Sequence, residues 1–176
     1  MTSRRFTVLY RLRGSRTLTT ADATLVRSLN PFDLDLAREI PNYHGQTHIG
    51  GWYASSKLGD HVRFESGLER LRMQFLDFDP QVVAFAPQPF TLRWSEDKKT
   101  YSYTPDLLII RAGQRRVVED VKPTKFHGSP KLQRAFAAAK EALDPIGVDF
   151  NLWGAPESTL LRNVQWSAPQ NLDSVE

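Results

Sequence analysis

The sequence contains no cysteine, which excludes disulfides, thiolate metal sites and a cysteine nucleophile. A reducing cytoplasm is the expected compartment. Long apolar runs are also missing: a stretch such as residues 82–86 falls far short of the roughly 18 residues that a membrane-spanning helix needs. No signal peptide is expected, because Met1-Thr2-Ser3-Arg4-Arg5-Phe6 leads directly into a strand-like pattern. There is no internal repeat and no low-complexity tract. Nor is there a glycine-rich phosphate loop, a dinucleotide fingerprint or a Ser-His-Asp pattern, so the enzyme classes built on those devices drop out.

What remains is ordinary globular composition. The chain has 176 residues, 40% hydrophobic and 24% charged, enough for one packed core and too apolar for disorder. The net charge of +3 conceals an imbalance. Between Arg111 and Arg134 seven Lys or Arg stand against Glu119 and Asp120, a net of +5. Between Glu141 and Glu176 six acids stand against Arg162, a net of −5. A basic middle beside an acidic end suits a protein that turns one face toward polyanions, although solvated surface charge gives the same pattern.

Residues 6–13 are rich in β-formers and end at Gly14, which predicts a strand. Residues 17–28 suggest a short strand pair or turn, and 31–51, with Pro31, Pro41, Gly45, Gly50 and Gly51, read mostly as loop. Residues 52–55 and 61–64 flank a turn-forming segment and predict a hairpin. Ser66-Gly67-Leu68-Glu69 has the Ser-x-x-Glu form of a helix capping box, and Leu68, Leu71, Phe75 and Leu76 come after it at helical spacing. That helix should stop before Pro80. Strand patterns occupy 81–86, 89–95, 100–104, 106–111 and 116–122, with Ala112-Gly113-Gln114 as a tight turn. A second helix is predicted over 132–143, with Leu132, Ala135, Phe136, Ala139 and Leu143 as its apolar stripe. A last strand is predicted over 149–153, then a loose tail over 163–176. The order implies an α/β fold in which helices cover a mixed sheet.

The residues that suggest chemistry are Glu69, Asp106 and Asp120-Val121-Lys122. The Gly113 turn can bring the ends of two strands together, with Asp106 on one and Asp120 on the other. Successive strand residues face opposite ways, so Asp120 and Lys122 share a face and Val121 takes the other. Two carboxylates and an ammonium at one sheet edge can hold Mg²⁺ and position a water, as metal-assisted phosphodiester hydrolysis requires. An acid-x-Lys triplet carries little by itself: Glu96-Asp97-Lys98 and Asp97-Lys98-Lys99 also occur, in a polar turn. Structural readings compete at each position. Glu69 can be a capping residue, Asp106 a turn or strand start, and Asp120 with Lys122 an exposed ion pair. His44 and His48 stand four apart, but in a Gly- and Pro-rich segment that does not supply helical metal-ligand geometry.

At these residues the sequence resembles the TnsA-type endonuclease subunit of heteromeric transposases, a branch of the PD-(D/E)XK restriction-endonuclease-like nucleases. The likeness spans about residues 40–125. It runs through Ile40-Pro41-Asn42-Tyr43-His44-Gly45-Gln46, Gly51-Trp52-Tyr53, His61-Val62-Arg63-Phe64-Glu65-Ser66-Gly67-Leu68-Glu69-Arg70 and Leu76-Asp77-Phe78-Asp79-Pro80. It continues in Gln88-Pro89-Phe90, Thr104-Pro105-Asp106 and Val118-Glu119-Asp120-Val121-Lys122-Pro123. The resemblance implies a restriction-endonuclease-like mixed sheet flanked by helices, with the nuclease core at 51–162, a β-rich extension at 1–50 and a tail at 163–176. It places the family's helical glutamate on Glu69, with Glu65 the weaker candidate, its metal aspartate on Asp106, the second acidic ligand on Asp120 and the catalytic lysine on Lys122. Val121 would offer its backbone carbonyl to the ion.

The implied activity is Mg²⁺-dependent DNA cleavage, with Mn²⁺ as substitute, at the 5′ ends of a transposon. A DDE-type transposase would cut the 3′ ends, and an AAA+ regulator is a further implied partner. The family's archetype meets its regulator through a C-terminal winged-helix domain, and this sequence ends soon after the nuclease core, so contact through that domain is not expected. Arg63, Arg70, Arg115, Arg116, Lys125, Lys131 and Arg134 are the basic residues expected to track DNA phosphates. Two alternatives stand beside the enzyme: a non-catalytic DNA-binding or assembly subunit that keeps the nuclease fold, and a stand-alone nuclease of phage or defence systems.

Overall fold

Alternation of apolar and polar residues builds the first strand, β1 (Phe6–Leu12), whose Phe6 and Val8 are buried while Thr7 between them is partly exposed. The computed structural model describes residues 4–38 and 50–155. The stretch at 17–28 resolves into β2 (Thr19–Asp22) and a 3₁₀ segment at Ala23–Ser28, capped where Asp22 accepts the Thr24 N–H at 3.0 Å. A two-residue strand, β3 (Leu34–Asp35), also pairs with β1. Next come β4 (Gly51–Ser55) and β5 (Asp60–Phe64), the predicted antiparallel hairpin, and helix α1 (Gly67–Phe78). Five strands come after the helix: β6 (Val82–Pro87), β7 (Thr91–Glu96), β8 (Lys99–Tyr103), β9 (Leu107–Arg111) and β10 (Arg116–Val121). Helix α2 (Pro130–Leu143) and β11 (Asp149–Trp153) complete the described chain.

The strands form a four-stranded sheet, ordered β11-β10-β9-β6, and a second sheet ordered β2-β1-β7-β8. β9 and β10 are antiparallel across the turn at 112–114, where Gly113 takes φ +73°, a conformation that glycine adopts without steric cost. β10 and β11 run parallel, and α2 supplies the crossover that parallel neighbours need. The first strand, from the stretch expected as an N-terminal extension, pairs antiparallel along β7, with Phe6 opposite Trp94 and Val8 opposite Leu92.

Both faces of the four-stranded sheet are covered, so β9 and β10 are buried along almost their whole length. On one face Leu108 and Val118 meet Val8, Leu92 and Trp94 of the second sheet and Ala138, Ala139 and Leu143 of α2. On the other, Leu107, Ile109, Val117 and Val121 pack against Met73 and Leu76 of α1 and Val62 and Phe64 of the hairpin. Each fully buried Leu or Phe contributes roughly 1.5–3 kcal/mol relative to an exposed one, so two cores share one sheet as their common wall. The fold is therefore α/β with a mixed sheet between helices. Among the described residues no helix is long and apolar enough to cross a membrane.

The two helix starts set the positions of the residues that suggest chemistry. Ser66 caps α1, and the helix ends at Asp79, ahead of Pro80 as expected. α2 begins two residues before the predicted Leu132, because Pro130 occupies its first turn, where the missing N–H costs nothing and φ is already helical. Of its expected stripe, Phe136, Ala139 and Leu143 are buried, while Ala135 and Leu132 face a surface groove instead of the core. The histidines at 44 and 48, and the tail expected at 163–176, lie outside the described residues.

Candidate active site

The register of β9 against β10 sets Leu107 opposite Glu119, so Asp106, one residue before β9, comes beside the end of β10. Its Oδ2 accepts the Val121 N–H at 2.7 Å and is reached by Lys122 Nζ at 2.6 Å. Asp106 is further fixed by its own carbonyl, which accepts the Gln88 N–H at 2.9 Å. The Lys122 ammonium also lies 3.6 Å from Asp120 Oδ1. Asp120 is 1% exposed, and the Tyr103 hydroxyl and the Lys122 ammonium are its polar partners besides Asp106. Burial, reinforced by the Asp106 charge, pushes the Asp120 carboxyl up to about 7, while Lys122 pulls it back only in part. Burial works against charge on Lys122, but Asp106 and Asp120 outweigh it and hold its pKa above the usual lysine value. Lys122 is a protonated cation here.

Glu69 approaches from the first turn of α1. Its Oε2 accepts the Glu65 N–H at 2.9 Å, and its Oε1 lies 2.9 Å from the Ser66 hydroxyl, which in turn accepts the Glu69 N–H at 3.2 Å. This is a capping box in working order, closed on the residue before the cap rather than on the cap itself. Burial pushes the Glu69 carboxyl up to about 6, with the Asp106 charge adding to it and the Glu65 and Ser66 hydrogen bonds opposing. Glu65 sits ahead of the helix, paired with Arg38.

These groups line one groove of about 890 Å³. Glu69, Asp106, Asp120 and Lys122 line it, with Glu65 and Arg38 beside them. Val121 is buried, but its carbonyl lies 3.3 Å from Lys122 Nζ. Among the described residues no three carboxylate or imidazole side chains are grouped to hold a metal ion as they stand. The reason is visible in the bonds: both Glu69 oxygens serve the helix cap, and the Lys122 ammonium bridges the two aspartates.

The cations expected to track DNA divide into two sets. Lys131 and Arg134, on the first turns of α2, line the groove, and Lys125 lies next to it, its ammonium 5.0 Å from the Phe126 ring. Arg115 and Arg116, expected near the site, are not there. They stand at the opposite end of β10, about 16 Å away at the rise of a strand, and Arg115 is paired with Asp149 at 2.6 Å. Arg63 stacks on Trp52 of the hairpin at 5.5 Å, and exposed Arg70 lies on α1; neither lines the groove. Sequence reasoning also misses groove residues. Arg38 and the aromatic wall of Trp94, Tyr101, Tyr103 and Phe126 carry no local motif. The Tyr103 hydroxyl is buried beside Asp120, and burial together with Asp120 and Asp106 pushes the phenol well above its usual pKa.

A mixed sheet between helices, with two aspartates and a lysine converging where two of its strands meet, defines a protein of the restriction-endonuclease-like α/β class. Residues 79–153 match the family model described as TnsA-like endonuclease N terminal, so this span is similar to the TnsA-type endonucleases. The span carries Asp106, Asp120 and Lys122, and Glu69 lies ten residues before it. Comparison with curated proteins gives no match.

Proposed function

We propose that this protein is the metal-dependent DNA endonuclease subunit of a heteromeric transposase, hydrolysing phosphodiesters at the 5′ ends of a transposon. The observation that carries the reading is an almost fully buried aspartate, Asp120, beside Asp106 and Lys122 in one groove. A carboxylate this buried and this close to a second one is costly to keep charged, and such strongly perturbed groups cluster at functional sites. The donor set fits a hard divalent cation: two aspartates and the Val121 carbonyl offer oxygen ligands, which suit Mg²⁺ or Mn²⁺. Glu69 is the further acid at hand once its cap bonds rearrange.

A divalent ion held there supplies charge stabilisation at the scissile phosphate. The chain's own part is positioning. Asp106 anchors Lys122 through the 2.6 Å bond. Lys122, protonated at neutral pH, serves as hydrogen-bond donor and charge stabiliser rather than as base. Lys131 and Arg134 meet flanking phosphates, so DNA binding weakens as salt rises and counterions compete. The partners in this reading are transposon-end DNA, a DDE-type transposase and, where present, an AAA+ regulator, in the cytoplasm. Incubating supercoiled plasmid with the protein and Mg²⁺, alone and with its transposase, tests it. Cutting by wild type and none by Asp106→Ala is expected; equal traces from both under every condition end the proposal.

A second reading, a non-catalytic DNA-binding or assembly subunit, is favoured by the full occupation of Glu69 by its cap. Calorimetric titration with Mn²⁺ separates the two. Metal-dependent heat that Asp120→Asn removes supports the enzyme, and no heat supports the scaffold. A stand-alone nuclease would cut without any transposase.

A further inference from the structure

The groove has an aromatic wall beside its phosphate-binding cations. Tyr101 stacks on Trp94, with ring centroids 5.6 Å apart and planes 19° from parallel, and the Arg134 guanidinium lies 5.6 Å from the Tyr101 ring. Trp94 is 4% exposed, and its indole N–H is buried without a hydrogen-bond partner. On the 3₁₀ turn just after Lys122, Phe126 is 51% exposed, with Lys125 over its ring. Phe126 thus presents a half-exposed ring, with a cation beside it, to the same groove as the acids. A duplex offers a protein groove phosphates, sugars and base edges, but no base faces, because its bases are stacked inside. An unpaired base offers a flat face, and aromatic rings interleaved with Lys and Arg are the platform that single strands use.

From this we infer that the groove takes DNA as a strand opened at the cut, with one base or a few unstacked from the partner strand and laid on Phe126 and the Tyr101–Arg134 stack. This rests on the DNA-endonuclease reading and narrows its substrate to DNA that is melted, mismatched or flapped next to the scissile phosphate. The backbone of that strand is held by Lys131 and Arg134 and carried toward Asp106 and Lys122.

The test is equilibrium binding, by fluorescence anisotropy in a metal-free buffer, to three probes of one sequence: a perfect duplex, the duplex with a short mismatched bubble, and a single strand. Wild type should prefer the bubble and the single strand over the duplex. Phe126→Ala should weaken those two by at least about fivefold, the low end of what one base–aromatic stack contributes, and leave the duplex unchanged. Phe126→Trp should keep the preference, which guards against a folding defect, as should an unchanged melting temperature in Phe126→Ala. Binding of all three probes alike, unaffected by Phe126→Ala, overturns this inference and leaves the endonuclease reading intact. Binding of no probe by wild type at low salt overturns both.

Discussion

Arg72 and Glu119 offer the sharpest test of how the site is held. Arg72 lies one helical turn after Glu69 on α1, and Glu119 immediately precedes Asp120 on β10. Their fork of hydrogen bonds, Nε to Oε1 at 2.5 Å and a terminal nitrogen to Oε2 at 3.0 Å, clamps the helix to the strand. The Glu119 side chain is 4% exposed and that of Arg72 12%, and the guanidinium also lies 5.2 Å from the Trp153 ring. At an effective dielectric near 20 two charges about 3 Å apart attract by roughly 6 kcal/mol. Desolvating each ion costs several kcal/mol, so the intact pair lies close to balance. Breaking it does not. Arg72→Met leaves a buried carboxylate alone, which costs about 3–5 kcal/mol, a large part of a total stability of roughly 5–15. For a chain of this size the melting temperature should fall by about 6–20 °C. Urea denaturation at pH 7 of Arg72→Met, Glu119→Leu and the double variant measures this. The double variant should recover to within about 1 kcal/mol of wild type, because both charges leave together. If the two single losses simply add in the double variant, the pair is not a coupled buried unit and the reasoning is wrong.

The carboxylates and the cap yield further expectations. Glu69 and Asp120 have folded pKa values of about 6 and 7, above the 4.5 and 3.8 of free groups. Their protonated forms therefore stabilise the metal-free protein at pH 4 and below, and that contribution is lost as pH rises through 6 to 7. In chelator the denaturation midpoint should be lower at about pH 8 than at about pH 5, and a rise over that interval would contradict these shifts. Lys122→Met removes the ammonium that shares both aspartates with any bound ion. It should abolish plasmid cutting while Mn²⁺ affinity by calorimetry is kept or raised, and a marked loss of affinity speaks against a shared set of oxygens. Ser66→Ala deletes the N-cap of α1 and should cost about 1 kcal/mol in denaturation, within the roughly 0.5–2 usual for such caps; no measurable loss means the box contributes nothing.

The elements legible in the sequence are those set by local rules. The Ser66–Glu69 box marks the start of α1, and Gly113 marks the turn that brings Asp106 to Asp120. The pairing of β1 with β7 joins segments far apart in the chain, and no local pattern encodes it. Arg38 reaches Glu65 for the same reason, from a part of the chain with no motif of its own. Arg115 and Arg116 show how nearness in sequence misleads. They precede Asp120 by only a few residues, yet a strand is long and straight, so its two ends serve different places. Sequence alone leaves Glu69 divided between cap and ligand, and the structure displays the cap bonds and the groove position together.

The parallel contact of β11 with β10 bears on when the protein can first act. β10 is sandwiched between β9 and β11, and the Lys122 N–H is held by the Trp153 carbonyl at 3.0 Å. A ribosome-bound chain that has emerged only as far as α2 carries every acidic residue of the cluster yet has nothing to fasten the far flank of that strand. Completion of the cluster's support thus waits on a strand made after all of those acids. Chains shortened to end before Asp149 should lose both Mn²⁺ binding and cutting.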